Sequence, residues 1–299
     1  MAHSHNHSHD SGAENIKIAV FLNLLFAIIE IIGGLLTNSL AILSDAFHDF
    51  GDSIVLILSY ISTKIAKKKP TDKHTFGFKR ATLFAAFITG VVLLTGSIFI
   101  MFNAISRLFE PQEVHSMGII GLSFIGIAIN GFAVLKTRKG LSQNEKMVSW
   151  HMLEDVLGWV AVLIGSIIMS LTGWYIIDPI LTVCFAGFIV FGTCRNLLST
   201  LDVFMEGVPA RINLSKIKKN ILSIKNVEDV YDIHVWSLDG ETIIMTAHVV
   251  VSEKVINIEQ VRNKIKKQLI EQHIKHSTIE IEHPNNNPKN CVLGEGHDA

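Results

Sequence analysis

SDAFHDFGDS, residues 44–53, places four ionisable side chains inside a long apolar segment. They are Asp45, His48, Asp49 and Asp52, and the residues on either side of the stretch are mostly Leu, Ile and Val. A charged side chain at the centre of a bilayer costs about 2.5–3.5 kcal/mol on insertion scales, and helix packing alone does not offset that cost. We therefore predict a membrane helix whose polar face has a function.

A second stretch, WHMLEDVLGW at residues 150–159, repeats the pattern. His-x-x-x-Asp occurs in both stretches, as His48/Asp52 and as His151/Asp155. On an α-helix this i, i+4 spacing places both side chains on one face, one turn apart. Two such helices facing each other would offer two imidazoles and two carboxylates, a four-coordinate set suited to Zn²⁺ or a similar divalent metal.

Further acidic residues accompany these pairs. Asp45 and Asp49 fall within the same arc of the second helix, roughly 100° wide, and we expect them to support the ligands by fixing the imidazole tautomer. Glu30, in the first apolar segment, belongs either to a proton or ion path or to a structural carboxylate pair. Asp178, directly before Pro179, is predicted to be an interhelical hydrogen-bonding group or a helix cap.

Composition divides the chain into a membrane domain at 16–207 and a soluble domain at 208–299, where the charged residues concentrate. The 299 residues are 49% hydrophobic and 18% charged, with a mean hydropathy of +0.40. No basic patch with interleaved aromatic residues is present, so no nucleic-acid partner is expected. Cys184, Cys194 and Cys291 do not form the pattern of a disulfide framework.

Residues 1–15 are polar and carry His3, His5, His7 and His9. Such a segment buries too little apolar surface to fold, and we expect a disordered cytoplasmic tail. It either collects metal or donates a ligand elsewhere, or it is an unstructured tail or an engineered leader. Its polarity, ahead of a full-length span, argues against a cleavable signal peptide.

Six apolar segments follow, each near the roughly 20 residues that a helix needs to cross a bilayer. They lie at about 16–36, 40–66, 80–106, 115–136, 148–171 and 177–199. Lys and Arg concentrate in the second-to-third and fourth-to-fifth connectors, while the first-to-second and fifth-to-sixth connectors have none. The positive-inside rule then predicts a multi-pass protein of the cell membrane, with both termini and the soluble domain in the cytoplasm.

The soluble domain reads as α-β-β-α-β, a small open sandwich. Gly207-Val208-Pro209 is the expected hinge, and residues 213–224 and 257–273 have helical periodicity. Residues 227–251 read as two strands joined at Asp239-Gly240, a strong hairpin signal, and residues 277–283 read as a third strand. Potential zinc ligands of mixed type also occur here, although their spacing is a weak signal. They are His234, His248, Glu282, His283 and Cys291.

The whole pattern resembles the cation diffusion facilitator family, in particular its bacterial zinc and cadmium exporters. The segments that carry the resemblance are TNSLAILSDAFHDFGDS, DKHTFGFKR, WHMLEDVLGW and DIHVWSLDGETIIMTAHVVV. The resemblance implies six transmembrane helices, a metallochaperone-like cytoplasmic domain that binds zinc, a homodimer, and exchange of cytoplasmic metal for protons. It assigns the transport site to His48, Asp52, His151 and Asp155. It also matches His234, His248 and Glu282 to the ligands of the cytoplasmic domain, with Cys291 as a candidate fourth.

One position departs from the family pattern. Some members carry another zinc site in the second-to-third connector, built from an Asp and two His. This chain has Asp72 and His74, but Phe78 stands where the second His would fall, so we assign no metal there.

These features predict a transporter rather than an enzyme. Imidazole and carboxylate must be deprotonated to bind metal, so protonation on the acidic side would expel it during alternating access. His ligands favour zinc, cadmium or cobalt over manganese. A zinc hydrolase would keep one coordination position open and would need a His-Glu-x-x-His helix or a separate base, and the chain has no such motif. A metal channel or sensor without coupled exchange stays open as the alternative.

Overall fold

The structure is a computed structural model that describes residues 21, 24–137 and 143–284 of the chain. At 136–137, 143–149 and 151 it describes the backbone alone. Two compact units result. The first comprises the described residues up to Ile61 together with Ala85–Leu197, and the second comprises Ser62–Phe84 together with the described residues from Leu198 onward.

Within the described residues, six helices precede the helix–strand elements of the second unit. Their bounds are α1 Leu24–Thr37, α2 Leu40–Ala66, α3 Ala81–Phe109, α4 Ser116–Thr137, α5 Gln143–Thr172 and α6 Ile177–Phe204. Four of them contain a segment long and apolar enough to cross a membrane, namely Ala81–Phe109, Ser116–Leu135, Met152–Thr172 and Ile177–Phe204. Four of the six predicted spans therefore correspond to helices that could cross a membrane, and the other two stay a prediction. The described part of α1 is shorter, and α2 carries the charged cluster of residues 45–52.

The corner between α1 and α2 is fixed by side chains from other helices. Asn38 has a left-handed backbone (φ 57°), which Asn tolerates better than most residues. Arg107 at the end of α3 donates to the Asn38 backbone oxygen at 2.8 Å and to its Oδ1 at 2.9 Å. The Asn38 amide in turn donates to the Glu113 backbone oxygen at 3.0 Å. These bonds hold the start of α2 against the connector between α3 and α4.

The first turn of α2 is capped by Asp178, which belongs to α6. The Leu40 N–H donates to Asp178 Oδ2 at 2.9 Å, the Ala41 N–H donates to Oδ1 at 3.4 Å, and the Ser39 hydroxyl also donates to Oδ1. The Ser39 oxygen accepts the Ile42 N–H at 3.3 Å, so the first backbone donors of the helix all have acceptors. The prediction that Asp178 bonds between helices or caps one is confirmed, since it does both.

A buried cluster in the first unit surrounds Trp159, whose side chain is fully buried. The ring of Phe26 lies 5.5 Å from the Trp159 ring. A Cβ at Gly126 would come within 2.5 Å of the indole, so α4 can approach Trp159 only because residue 126 is glycine. This packing sets the position of α5 next to α1.

The second unit contains the predicted α-β-β-α-β order, with α7 Leu214–Leu222, β1 Val227–Ser237, β2 Ile243–Val251, α8 Ile258–Glu271 and β3 Ile274–Glu282. β2 lies in the middle of the sheet, antiparallel to β1 and parallel to β3. Asn213 and Asn257 cap the two helices by accepting the N–H of Lys216 and of Gln260. The third strand begins at Ile274, three residues before its predicted start.

Both helices of this unit pack on one face of the sheet. Alternate residues of β2 point toward them and join a single core with Ile217 and Ile221 of α7 and with Val261, Ile265 and Leu269 of α8. The other set of β2 residues therefore lies on the opposite face, and it includes His248. The potential metal ligands of this domain thus lie away from the helices.

Candidate metal sites

The polar face of α2 has the geometry that the i, i+4 spacing predicts. His48 Nε2 lies 3.7 Å from Asp52 Oδ2, and the two side chains are 29% and 26% exposed. An ion could reach this pair without unfolding the helix. Asp49, one residue after His48, is only 1% exposed and lies deeper in the helix bundle.

Carboxyl groups from three helices meet beside this pair. Glu30 of α1, Asp49 of α2 and Asp155 of α5 are 0%, 1% and 7% exposed. Asp49 interacts electrostatically with Glu30, Asp45, Asp52 and Asp155, and Glu30 also interacts with the Trp159 indole. The structure therefore joins α1, α2 and α5 at one group of acidic side chains. Spacing within α2 predicted the members on that helix but not the central position of Asp49.

Lys and Arg are absent from the parts of α1, α2 and α5 that flank this group in sequence. Residues 18–63 contain no Lys or Arg, and neither do residues 147–172. Ionised carboxylates gathered at one buried point repel each other, because the dielectric constant there is lower than in water. A divalent cation between the carboxylates would convert that repulsion into attraction.

The four predicted transport ligands differ in what the structure describes. His48, Asp52 and Asp155 are described with their side chains, whereas the side chain of His151 lies outside the described residues. The α5 backbone places residue 151 one turn before Asp155. Among the described side chains, His48, Asp52 and Asp155 do not form a set whose ligand atoms all lie within 4.8 Å of one another.

The second cluster lies in the second unit and centres on His248. Its Nδ1 lies 2.6 Å from Glu282 Oε1, whereas its Nε2 lies 3.8 Å from Asp232 Oδ2 and 3.9 Å from Glu280 Oε2. His248, Glu280 and Glu282 form the group in the described part of the chain whose ligand atoms all lie within 4.8 Å of one another. Tyr231 stands opposite His248 in the sheet register and donates its hydroxyl to Glu282 Oε2 at 2.7 Å.

The charge state of Glu282 follows from these contacts. Burial alone would raise the pKa of its carboxyl. The hydrogen bonds from His248 and Tyr231, together with the charge of His248, outweigh burial and hold that pKa below its ordinary value. A carboxylate held ionised beside an imidazole is suited to orient that imidazole or to bind a cation.

Asp232 is a member of this cluster that sequence reasoning missed. It lies at a β-bulge, where the register of β1 shifts between Tyr231 and His234, and its backbone is left-handed with φ 49°. Its Oδ1 lies 2.8 Å from His234 Nε2, so one carboxylate lies between His234 and His248. A bulge cannot be recognised from the residue pattern. The one available signal was the Asp-x-His spacing, which places Asp232 two residues before His234.

The other predicted residues of this domain have different outcomes. His234 contacts the cluster through Asp232 and is 42% exposed. His283 is described, but its ring is not part of the group formed by His248, Glu280 and Glu282. Cys291 lies outside the described residues, as do His3, His5, His7 and His9. Glu280 was not predicted, because alternation in β3 places it on the same face as Glu282 without marking it as a ligand.

Comparison with known proteins gives matches along nearly the whole chain. Residues 16–205 match the cation efflux transmembrane domain, and residues 209–284 match the cytoplasmic domain of cation efflux proteins. The chain is 33% identical to the "cadmium, cobalt and zinc/H(+)-K(+) antiporter" of Bacillus velezensis, covering 98% of this chain and 96% of that one. It is 33% identical to the "metal cation efflux system protein CzcD" of Cupriavidus metallidurans, with 94% and 90% covered. It is 30% identical to the "zinc transporter ZitB" of Escherichia coli, with 99% and 97% covered.

Proposed function

The chain belongs to the cation efflux family, and from this premise we propose that it exports Zn²⁺ in exchange for protons. The protein is an integral membrane transporter of divalent metal ions and not an enzyme. Cd²⁺ and Co²⁺ are the further substrates that we propose, because they share the preference of zinc for imidazole and because relatives of the chain are named for them.

The observation that carries this proposal is the acidic group shared by α1, α2 and α5. It lies next to the His48–Asp52 pair, and Asp49 at its centre interacts electrostatically with Glu30, Asp45, Asp52 and Asp155. We assign metal binding to His48 and Asp52 from α2 and to His151 and Asp155 from α5. Asp45, Asp49 and Glu30 add negative charge around that site, which lowers the cost of bringing a dication into the membrane.

Transport by alternating access follows from this assignment. A Zn²⁺ ion from the cytoplasm would first meet the partly exposed His48–Asp52 pair and would then draw α5 toward α2, completing the four-ligand shell. Reorientation of the helices would expose the shell to the other side, where protonation of imidazole and carboxylate releases the ion. The proton is thus the counter-ion because it competes with the metal for the same lone pairs.

The membrane arrangement is part of the proposal. We propose six spans, with α1 and α2 added to the four apolar helices, and a cytoplasmic location for both termini and for the soluble unit. We also propose that the chain works as a homodimer, a proposal supported by the match of residues 209–284 to the cytoplasmic domain of the family. In this orientation the His248 cluster is in contact with the cytoplasm and can bind metal ions from it.

The His248 cluster fits a resident Zn²⁺ ion. One imidazole and three carboxylates supply nitrogen and oxygen donors of the kind that zinc takes, and ligand atoms on a tetrahedral zinc lie roughly 3.3–3.4 Å apart. The ligand atoms of His248, Glu280 and Glu282 all lie within 4.8 Å of one another, and rotation of these side chains would bring one His248 nitrogen and the carboxylate oxygens to that spacing. His248, with carboxylates from Asp232, Glu280 and Glu282, would hold the ion, and His234 would join through Asp232.

Proteoliposome flux tests the transport proposal. The purified protein is reconstituted with a zinc-sensitive dye inside the vesicles, and zinc uptake is recorded with and without an imposed pH gradient. Asp155→Asn should abolish uptake, whereas Glu154→Gln, the exposed neighbouring acid on α5, should leave it unchanged. Full uptake by Asp155→Asn would refute the site, and uptake that ignores the pH gradient would favour the uncoupled channel over exchange.

A further inference from the structure

The connector between α2 and α3 concentrates positive charge next to a membrane span. Residues 64–80 contain six Lys and one Arg but a single acidic residue, Asp72. Arg80 directly precedes Ala81, the first residue of the apolar helix α3. In the membrane arrangement proposed above, these cations would lie at the level where lipid head groups surround the end of a spanning helix.

Part of this connector forms one side of a groove within the second unit. The groove has a volume of about 570 Å³, and its lining includes Lys73, Phe76, Lys79, Arg80, Phe84 and Trp236. Phe76 and Phe84 are 52% and 58% exposed, and each also has one ring contact, with His276 and Phe204 respectively. The lining thus combines cations and apolar rings with one carboxylate, that of Glu206.

Two of the cations are held in place at the groove. Lys79 Nζ donates to Thr242 Oγ1 at 3.0 Å, and Arg80 Nη2 donates to Glu206 Oε1 at 3.0 Å. The Arg80–Glu206 pair is exposed on both sides, 38% and 58%, so it leaves the remaining guanidinium donors accessible. Gly77, with φ +76°, makes the turn that carries the chain from Lys73 back to Arg80.

We propose that this groove binds the phosphate head group of an anionic phospholipid of the phosphatidylglycerol type. Lys73 and Arg80 would contact the phosphate, because guanidinium and ammonium groups are the usual phosphate donors. Phe76 and Phe84 would lie against the glycerol and the first methylenes of the acyl chains. The aromatic lining and the volume favour a lipid over inorganic phosphate, which has no apolar part to cover these rings.

This inference goes beyond metal transport and rests on only one part of the proposed function, the membrane-level position of residues 64–80. If these cations only set the orientation of the protein in the membrane, their charge would be sufficient. The groove, the exposed aromatic rings and the hydrogen-bonded cations would then have no role. Metal ions are not the expected ligand, because seven cationic residues in this segment repel them.

Native mass spectrometry of the full-length protein in detergent tests the proposal. The delipidated protein is titrated with dioleoyl-phosphatidylglycerol and, separately, with dioleoyl-phosphatidylcholine. We expect at least tenfold tighter binding of the anionic lipid. Lys73→Gln/Arg80→Gln should lower that affinity at least tenfold and leave the weak binding of the zwitterionic lipid unchanged. Lys73→Gln alone, at an exposed position, should give a partial loss in a protein with unaltered melting temperature.

Lys218→Gln/Lys219→Gln is the matched control, since it removes two exposed charges from α7. An equal loss in this control would show diffuse attraction and would overturn the site, as would equal binding of the two lipids by the unaltered protein. Displacement of phosphatidylglycerol by millimolar inorganic phosphate would refute the lipid and indicate a free-phosphate site. The readout needs no transport, so failure of the metal site and failure of the lipid site are separate results.

Discussion

Replacing Asp178 by Ala should loosen the start of the helix that carries His48 and Asp52. Asp178 is 1% exposed and accepts hydrogen bonds from the Ser39 hydroxyl and from the N–H groups of Leu40 and Ala41. The Arg107 guanidinium, bonded to Asn38, also attracts this carboxylate. The variant removes the acceptor of these donors and the opposite charge of Arg107 in one step.

The magnitude follows from the donors left without a partner. Loss of a helix N-cap costs about 0.5–2 kcal/mol, and a buried donor left unsatisfied costs about 1–3 kcal/mol. The bond from the Leu40 N–H is short and that from the Ala41 N–H is long, so only the first counts in full. We therefore expect Asp178→Ala to lower the free energy of unfolding by about 3 kcal/mol, the cost of one strong cap plus one unsatisfied buried donor. Asp178→Asn keeps one acceptor oxygen and should lose about half of this.

The assay is thermal unfolding of the purified protein in detergent, followed by zinc flux at a temperature where both variants are folded. We expect Asp178→Ala to lower the melting temperature by about 4–8 °C and Asp178→Asn by about half of that. The flux of Asp178→Ala should also fall at saturating zinc, because the helix that carries His48 is no longer fixed at its start. Asp202→Ala, an exposed acid on the same helix α6, is the control. An unchanged melting temperature in Asp178→Ala would refute the capping argument.

Three further predictions concern the acidic group around Asp49, the contact between Gly126 and Trp159, and Glu282 in the second unit. Asp49→Asn removes the buried carboxylate that interacts with its four acidic neighbours, so zinc uptake in proteoliposomes should fall at least tenfold, and an unchanged rate would contradict its role. Gly126→Val should cost about 1–3 kcal/mol in thermal unfolding, because its Cβ would lie 2.5 Å from the Trp159 ring, while Gly131→Ala, with open space around it, should be silent. Glu282→Gln should destabilise the soluble unit at neutral pH. The pKa of Glu282 is lower in the folded protein than in the unfolded chain, so its carboxylate stabilises the fold above the unfolded-state pKa. This stabilisation is lost as pH falls through the folded-state pKa, so the melting temperatures of the two proteins should converge only in acid. A difference that stays constant with pH would contradict this linkage.

The sequence predicted those features that local spacing determines. The i, i+4 pair His48/Asp52, the hairpin at Asp239-Gly240 and the α-β-β-α-β order all depend on residues close together in the chain, and the structure contains each of them. The transport ligands on α5 stay a prediction, since the side chain of His151 is outside the described residues.

The features that sequence reasoning missed depend on residues far apart or on backbone irregularity. Asp178 was predicted to cap a helix, but its partner, the start of α2, lies 138 positions away in sequence, and no local rule identifies it. The central position of Asp49 likewise depends on where α1 and α5 pack. Asp232 depends on a bulge, which shifts the side-chain alternation of β1 in a way that the residue pattern does not reveal.

Asp232 also bears on why the soluble unit would keep a strained residue. A non-glycine residue with φ 49° costs of order 1–3 kcal/mol and persists only when surrounding contacts hold it. Here those contacts are the 2.8 Å approach to His234 and the 3.8 Å approach to His248, and neither group belongs to the hydrophobic core that holds the sheet to its helices. Glycine at this position would remove the strain but also the carboxylate. The left-handed backbone at Asp232 therefore coincides with the placement of one carboxylate between two imidazoles.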